Sequence, residues 1–368
     1  MRISYLFNSA VPSHNAGSIQ VVKTCEGLVS WNNKVFIITP DTGLKTSMKN
    51  FYDLKLIPER IRLKHFTQHP QGLRYYLFSI LSVFKAISLK TDLFITRNLF
   101  TLIILNILKK KTIIEIHHDL SNEGRLVRFF YKNFDILNSK NILRIVAITN
   151  SVKKFLIKEL KVNKKKIKII PSASSLNFRF KALKRKKKYR IGYFGSLEKS
   201  KGSEFVIELA KIDKINEYYI YGGKKNDIQE IKKKNNYKNL FLREFISYKK
   251  LKNHLDKMDI LVMPSNKREL KSLGGVGNIA KYTSPLKLFD YLASGKFIII
   301  SDLKVFNEIV KDDKHCTVME LDHLKWLKVL QNIKNNLKKI NILKRNALIL
   351  SKKYTYKKRA RSLLEGLI

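Results

Sequence analysis

The chain has little cysteine, proline, glycine and acidic side chain. Its 368 residues include two cysteines, Cys25 and Cys316, which are far apart and lack the spacing of metal ligands. This argues against a disulfide framework or a zinc site and favours reduced thiols in a cytosolic protein. With 7 prolines, 15 glycines and 44% hydrophobic residues, the composition is that of a globular protein.

Long uncharged apolar runs are also missing. No run approaches the roughly 20 residues that a membrane-spanning helix needs. Residues 73–89 come nearest, but Arg74 and Lys85 interrupt them. The N-terminal MRISYLF has a short apolar run without a small-residue cleavage site, so we expect a first strand rather than a signal peptide and a cytoplasmic location.

Acidic residues are scarce relative to basic ones: 29 Asp and Glu against 74 Lys and Arg, a formal net charge of +45. Coding bias toward lysine is one source of this excess; an anionic partner is the other. Basic runs such as 109–111, 184–188 and 232–234 are scattered, without an RNA-binding signature, so we expect no specific nucleic acid. An anionic membrane surface fits better, since each basic residue near it contributes about 1 kcal/mol. We expect a peripheral protein on the inner face of the cytoplasmic membrane.

Strand-like apolar runs alternate with amphipathic helical stretches along the whole chain. This pattern predicts α/β architecture with parallel sheets, and the length suits two domains. A stretch of small polar and then charged residues, 172–188, is the predicted linker. The predicted strands are 2–7, 34–39, 93–96, 112–117, 145–148 and 167–170 in the first half, and 189–194, 218–221, 240–242, 260–263 and 297–301 in the second.

The most informative segment is 284–295, SPLKLFDYLASG, followed by the apolar run 297–300. Ser284 suits a helix N-cap, Pro285 the first helical position, and Gly295 the left-handed stop. The segment therefore predicts a short helix that leads into a buried strand.

Two charged residues, Lys287 and Asp290, share one side of this predicted helix near its N-terminal end. Free backbone N–H groups and the helix dipole make such an end a phosphate site, where Lys287 can neutralise a diphosphate and Asp290 can accept hydrogen bonds from a ribose diol. An exposed ion pair on a solvated face is the alternative. Leu286, Phe289 and Ala293 are expected to anchor the helix on a sheet.

Other candidate residues follow predicted strands, where open parallel sheets bind ligands. Gly195 and Ser196 follow the first strand of the second half, and Lys201 comes shortly after. Glycine allows close approach of backbone to phosphate, and lysine supplies charge. Gly222 and Gly223 follow the next strand. Tight turns with a surface lysine are the alternative.

The first half offers Gly17, after the first strand, with backbone amides that open a helix. His117 ends the segment TIIEIH, and Arg97 follows another strand. A lone histidine there is more often a packed, hydrogen-bonded residue, and the neighbouring His118 is an alternative for any role in binding.

Together these landmarks resemble glycosyltransferase family 4, whose nucleotide-sugar signature carries Pro, Lys, Glu-Tyr, Ala and Gly at the spacing of 285–295. The other matching segments, in order, are PSHNAGS at 12–18, His117, ITNS at 148–151, IIP at 169–171, GYFGSL at 192–197 with Lys201, IYGG at 220–223 and DILVMPS at 259–265. The resemblance spans nearly the whole chain. It implies a GT-B fold with two Rossmann-like domains and an active site in an interdomain cleft. The N-terminal, acceptor-side domain is then 1–180, completed by a returning helix at 353–368, and the nucleotide-sugar domain is 184–352.

The resemblance further implies a retaining glycosyltransferase whose partners are a nucleoside-diphosphate sugar and a lipid-linked or surface-polysaccharide acceptor. It implies that Lys201 and Lys287 bind the diphosphate and that His117 contacts the transferred sugar. It also implies that Gly17, Gly222 and Gly223 offer backbone contacts. No cofactor or metal is expected, because the two lysines and the helix dipole can stabilise the leaving diphosphate.

One departure from the family leaves alternatives open. The signature has two glutamates eight positions apart, whereas this chain has Tyr282 and Asp290. The glycine-rich segment 273–278 is a candidate replacement for the missing carboxylate, or a lid. A GT-B nucleotide-sugar epimerase and a catalytically impaired binding protein or scaffold are therefore the alternative functions.

Overall fold

The computed structural model describes residues 1–367, except 42, 44, 45, 65–71 and 272–277. The chain divides into two compact units: Met1–Ala173, Tyr282–Ser284 and Thr355–Ile368 form the first, and Ser174–Lys281 with Pro285–Tyr354 form the second. The second unit starts before the predicted limits at 180 and 184. Residues 174–183 belong to the second unit because the Ser174 backbone N–H donates to the Tyr354 carbonyl (3.0 Å) and Phe178 packs in the core of that unit.

The first unit is an α/β fold around a parallel sheet. Its strands are β1 (Arg2–Leu6), β2 (Lys34–Pro40), β3 (Glu59–Leu63), β4 (Leu93–Thr96), β5 (Thr112–Ile116), β6 (Ile142–Ala147) and β7 (Ile167–Ile169). Its helices are α1 (Ala16–Val29), α2 (Met48–Tyr52), α3 (Leu73–Ser88), α4 (Leu99–Ile107), α5 (Arg125–Asn133), α6 (Asn150–Lys158) and the C-terminal α13 (Tyr356–Leu364). The strand order is β3-β2-β1-β4-β5-β6-β7, with every pair parallel.

The C-terminal helix α13 belongs to the first unit and lies against α1. A Cβ added at Gly27 of α1 would lie 2.5 Å from the carbonyl oxygen of Tyr356, so glycine lets the two helices approach closely. Leu363 and Leu364 of α13 are buried, as expected for the apolar side of a helix that packs on this unit.

The second unit has the same construction. Its strands are β8 (Arg190–Phe194), β9 (Glu217–Gly223), β10 (Leu240–Glu244), β11 (Ile260–Met263), β12 (Phe297–Ser301) and β13 (Thr317–Met319). Its helices are α7 (Ser203–Ile212), α8 (Lys225–Lys234), α9 (Tyr248–Asp256), α10 (Leu286–Ser294), α11 (His323–Gln331) and α12 (Leu337–Ser351). The strand order is β10-β9-β8-β11-β12-β13, again with every pair parallel.

Both faces of this second sheet are covered by apolar layers. Ile298 and Ile300 of β12 point into one layer, which includes Phe289 of α10, whereas Ile299 points into the other, which includes Trp326. A strand buried on both faces needs an uninterrupted apolar run, and residues 297–300 supply it. Short 3₁₀ segments, among them Lys199–Lys201, connect some elements.

The predicted α/β class with parallel sheets is confirmed, and each predicted strand corresponds to an observed one within a few residues. Two further strands, β3 and β13, lie at sheet edges. Among the helices of the described residues, none combines the length and apolar character that crossing a bilayer requires.

Candidate functional site

In the second unit, the strand order reverses between β8 and β11, and ligands of open parallel sheets bind beyond the strand ends at such a point. A Cβ at Gly222, at the end of β9, would lie 1.8 Å from the carbonyl oxygen of Gly195, after β8. One at Gly202 would lie 2.0 Å from the carbonyl oxygen of Pro264, after β11. Backbone therefore meets backbone at both places, where the glycines have φ values of 145° and 92°.

Lys287, in the first turn of α10, reaches the loop after β8. Its Nζ is buried and has no hydrogen-bond partner among the described residues. Nζ lies 4.5 Å from the centre of the Tyr193 ring and 3.2 Å from the position of a Cβ at Gly195. Burial, and then the nearby Lys201, lower the pKa of Lys287 to about 7. An ammonium held this way is an unsatisfied donor that an anion can complete.

The same loop supplies a second cation and a hydroxyl. Burial lowers the pKa of Lys201, with Glu198 acting in the opposite direction. Ser196 has a buried Oγ that also lacks a hydrogen-bond partner among the described residues. Gly223 lies beside this loop, since a Cβ there would be 2.4 Å from a methyl carbon of Leu197. The predicted residues Gly195, Ser196, Lys201, Gly222, Gly223 and Lys287 are thus brought together.

Tyr193, which the sequence reasoning did not identify, holds this loop in place. Its hydroxyl is directed at the carbonyl oxygens of Ser196 (3.0 Å) and Lys201 (3.2 Å), while its ring faces Lys287. The available signal was a tyrosine in strand β8, whose residues after Arg190 are all buried, because a buried tyrosine hydroxyl needs a partner. Its position beside Lys287 depends on packing between elements distant in sequence.

The start of α10 differs from the prediction. The helix begins at Leu286, Pro285 is the N-cap residue, and Ser284 belongs to the first unit. The Ser284 hydroxyl does not cap the helix; it accepts a hydrogen bond from the Ser172 backbone N–H at 3.0 Å. The prediction of Ser284 as N-cap and Pro285 as first helical residue was therefore wrong by one position. Gly295 ends the helix at φ 61°, as predicted.

Asp290 is buried rather than paired with Lys287 on a solvated face. Its Oδ1 accepts hydrogen bonds from the hydroxyls of Ser174 (2.6 Å) and Tyr248 (2.9 Å). The exposed-pair interpretation is therefore wrong. Asp290 ties α10 to Ser174 and to α9, and its predicted contact with a ribose stays a prediction.

In the first unit, Gly17 and Arg97 are neighbours at the strand-order reversal between β1 and β4. The Arg97 Nη1 donates weakly to the Gly17 carbonyl oxygen at 3.5 Å. The guanidinium also lies 5.9 Å from the centre of the Phe7 ring. Both predicted residues therefore lie at the edge of the sheet where ligands of such folds bind.

His117 follows β5 and contacts a buried ion pair. Its Nε2 lies 3.4 Å from Oε2 of Glu115, and the same oxygen accepts from Nη2 of Arg359 at 2.6 Å. Arg359, on α13, also donates to the carbonyl oxygens of Ile170 (2.7 Å) and Pro171 (2.6 Å). No local sequence signal pointed to Arg359, because its partners lie about two hundred residues earlier in the chain.

The protonation states of this cluster follow from burial and charge. Burial raises the pKa of Glu115, but Arg359 and then His117 outweigh it and hold that pKa at about 2. Burial and then Arg97 lower the pKa of His117 to about 3, so the imidazole is neutral at pH 7. Because an ionised Glu115 only accepts, Nε2 of His117 carries the proton and Nδ1 has the free lone pair.

Tyr282 stands where the signature has its first glutamate, and it is attached to the first unit. Its ring packs against the apolar cluster that includes Ile116, and its carbonyl oxygen accepts from the Thr149 hydroxyl at 3.4 Å. Burial, and next the Asp119 carboxylate, raise the pKa of Tyr282. The candidate replacement at 273–278 lies outside the described residues except for Asn278.

Comparisons with known proteins give the family and the fold of the chain. The family model described as "Glycosyl transferases group 1" matches residues 174–360, about half of the chain and the whole second unit. No curated protein sequence matches significantly.

Solved structures show the fold. Similar ones include the sucrose-phosphate synthase of Thermosynechococcus elongatus (TM-score 0.71, 14% identity, 98% of this chain and 96% of that chain covered). Another is Anabaena HepE in complex with UDP-glucose (TM-score 0.69, 14% identity, 100% of this chain and 99% of that chain covered). A third is WaaG, a glycosyltransferase involved in lipopolysaccharide biosynthesis (TM-score 0.66, 12% identity, 99% of this chain and 100% of that chain covered). Two Rossmann-like parallel-sheet domains are the fold of GT-B glycosyltransferases. The chain is therefore a glycosyltransferase and belongs to the glycosyl transferases group 1 family.

Proposed function

We propose that the protein transfers a sugar from a nucleoside-diphosphate sugar to a lipid-linked or surface-polysaccharide acceptor. In this proposal the transfer retains the anomeric configuration, needs no metal, and takes place at the inner face of the cytoplasmic membrane. Family membership supports the reaction class. The similar Anabaena structure holds UDP-glucose, and WaaG is involved in lipopolysaccharide biosynthesis, which supports the donor and acceptor classes.

The observation that carries the proposal is the buried ammonium of Lys287 beside Gly195, which has no hydrogen-bond partner in the part of the chain that the structure describes. In glycosyl transfer, the bond between the anomeric carbon and the diphosphate oxygen breaks, and its electron pair leaves on the diphosphate. In this proposal Lys287, Lys201 and the N–H groups at the start of α10 stabilise that charge. The Ser196 hydroxyl is a further donor for a phosphate oxygen.

Metal independence rests on the same two lysines, since ammonium groups can neutralise a leaving diphosphate as a divalent cation would. The test is transfer in the presence of a chelator. Full activity with excess EDTA supports this part, and activity that returns only with added Mg²⁺ or Mn²⁺ contradicts it.

In the first unit, we assign His117 to the transferred sugar. Its neutral ring offers the Nδ1 lone pair as an acceptor for a sugar hydroxyl, because Glu115 occupies Nε2. Gly17 and Arg97 are assigned to the donor phosphates, and Asp290 to the ribose.

The decisive experiment incubates the protein with a panel of nucleotide sugars and membrane-derived acceptor lipids, and measures nucleoside diphosphate release and sugar transfer. We expect acceptor-dependent release that Lys287→Ala and Lys201→Ala abolish. Lys344→Ala is the matched control, because Lys344 is also a buried lysine but donates to the Lys181 carbonyl instead.

Other outcomes separate the alternatives. A new epimer of the donor without acceptor would indicate an epimerase, and donor binding without any turnover would indicate a scaffold. NMR of the product's anomeric configuration tests retention.

A further inference from the structure

Helix α3 in the first unit turns an apolar side outward. Leu73, Leu77, Ile80, Leu81 and Phe84 are all exposed, with Leu73 at 74% and Phe84 at 56%. Their spacing of four, seven, eight and eleven residues from Leu73 places them along one side of the helix. Single exposed apolar residues are ordinary, but a continuous row of five marks an interaction surface.

The opposite side of α3 is already used. Phe78, Ser79, Ser82, Val83 and Ala86 are buried, and α3 packs on the sheet and on α4 through them. The outward row therefore cannot be the side that builds the core of this unit.

Helix α5 extends this surface. Its Leu126 and Phe129 are exposed, and α5 begins beside α3, because a Cβ at Gly124 would lie 3.3 Å from the Tyr76 hydroxyl. We call the exposed apolar side chains of α3 and α5 the α3–α5 surface.

The charges on the helices of this surface have one sign, and the nearby carboxylate of Glu123, before α5, is half-buried beside Tyr75 of α3. Helices α3, α4 and α5 contain no Asp or Glu, whereas α3 carries Arg74 and Lys85, both exposed, and α5 carries Arg125, Arg128 and Lys132. An apolar row on helices whose charged residues are all basic fits the interface of a bilayer, where acyl chains adjoin anionic headgroups. A second copy of this surface fits poorly, since a symmetric contact would place basic residues against basic residues.

We propose that the α3–α5 surface docks on an anionic phospholipid bilayer. Leu77, Leu81 and Phe84 enter the boundary between headgroups and acyl chains, while Arg74 and Lys85 contact lipid phosphates. This inference rests on the membrane location proposed above and adds the surface that holds the protein there. The 16 residues of α3 lie along the bilayer plane in this arrangement.

The test is sedimentation with vesicles of phosphatidylglycerol and phosphatidylcholine, compared with phosphatidylcholine alone. The variant Leu77→Ser/Leu81→Ser/Phe84→Ser removes the apolar row. Its control, Leu324→Ser/Ile342→Ser/Ile349→Ser, replaces three exposed apolar residues of the second unit. Both keep the net charge, so non-specific attraction of a chain at +45 is the same for each.

We expect the wild type and the control to bind the anionic vesicles, and the triple α3 variant to partition at least about tenfold more weakly, because burial of each such side chain is favourable. At about 1 M salt the Debye length falls to about 3 Å, so attraction between charges is screened. Vesicle binding that the wild type retains there and the triple α3 variant loses indicates insertion of the apolar row. Phe84→Asp is a second variant, with thermal stabilisation by UDP as the check that each protein is folded.

Three results would overturn the inference. Equal binding of the triple variant and the wild type would contradict the docking role of the α3–α5 surface, although the proposed membrane location would still hold. No vesicle binding by the wild type would contradict both the membrane location and the docking surface, but it would not contradict the proposed glycosyl transfer. A halving of molecular mass in the triple variant, by light scattering, would assign the surface to a second copy.

Discussion

At the scale of single residues, the proposed donor site centres on the Lys287 ammonium, which is buried without a hydrogen-bond partner among the described residues. Burial and Lys201 lower the pKa of Lys287 to about 7, from an ordinary 10.5. A diphosphate would restore the proton, because an adjacent negative charge raises the pKa of a lysine. Nucleotide binding above pH 7 is therefore expected to take up a proton.

The first prediction is that affinity for a nucleoside diphosphate, probed with UDP, falls as the pH rises above 7, by up to about tenfold per unit, because the free protein must first gain the proton. Calorimetry in buffers of different ionisation enthalpy measures the proton uptake directly. Lys287→Arg keeps its charge and should bind with little pH dependence over pH 7–9. Lys344→Met is the control, since the pKa of Lys344 is lowered to about 8 but its Nζ donates to the Lys181 carbonyl. An unchanged profile in Lys287→Arg would contradict the assignment.

The second prediction concerns the buried pair Arg359–Glu115. Arg359→Met leaves the Glu115 carboxylate without its guanidinium, so we expect a loss of about 3–5 kcal/mol at pH 7, seen as a lower thermal midpoint. Arg361→Met, on the exposed side of the same helix, should have little effect.

The pH dependence makes this prediction sharper. Because the pKa of Glu115 is held at about 2, below its usual 4.5, the pair's stabilisation is complete above pH 4.5 and is lost as the pH falls toward 2. The difference between Arg359→Met and the wild type should shrink over that range. A difference that is constant with pH would assign the loss to packing instead.

At the scale of secondary-structure elements, the glycines at and after the strand ends control how closely the loops approach. The third prediction is that Gly222→Ala destabilises the second unit by at least about 2 kcal/mol and weakens UDP binding, because its Cβ would displace Gly195. Gly366→Ala is the matched control, since Gly366 also has a positive φ, of 74°, but no atom within 4 Å of the Cβ position. Gly366→Ala should lower the free energy of unfolding by about 1–2 kcal/mol, because only the positive φ disfavours alanine there. Thermal midpoints and UDP titrations measure both effects; equal losses would contradict the close approach at Gly222.

The strands show what the sequence alone could predict. Apolar runs such as 297–300 were recognisable because they are buried on both faces of a sheet. The two strands not predicted, β3 and β13, lie at sheet edges, and their residues are mostly half-exposed. The sequence of β3, ERIRL, alternates charge with apolar residues over only five positions, which is too weak a signal beside the longer runs.

The candidate site was predictable where it depended on chain position. Residues that follow strands, such as Gly195 and Gly17, had to lie at the binding edge of a parallel sheet. Partners distant in sequence were not predictable: the ring of Tyr193 under Lys287, and Arg359 against Glu115, arise only when the elements pack. The pKa of Lys287 belongs to the same class, since it depends on burial.

At the scale of the whole molecule, positive charge greatly exceeds the available counter-charge. The described ion pairs are mostly exposed, as between Lys199 and Glu204, and such pairs contribute about 0–1 kcal/mol each. With 74 basic against 29 acidic residues, most of the cations cannot each have a carboxylate of their own. Net repulsion of this kind destabilises a compact state.

The fourth prediction is that salt stabilises the protein. Between about 0.01 M and 0.1 M NaCl the Debye length falls from about 30 Å to 10 Å, so repulsion across the surface is screened and the thermal midpoint should rise. Lys184→Glu/Lys187→Glu lowers the net charge from +45 to +41, two units per substitution, and should reduce this dependence. Lys184→Arg/Lys187→Arg keeps the charge and should keep it. A midpoint that falls with salt in the wild type would mean that attractive pairs outweigh the net repulsion. Attraction could outweigh repulsion only if most cations lay close to a carboxylate. With 74 basic and 29 acidic residues, there are too few carboxylates for that, so we expect the midpoint to rise.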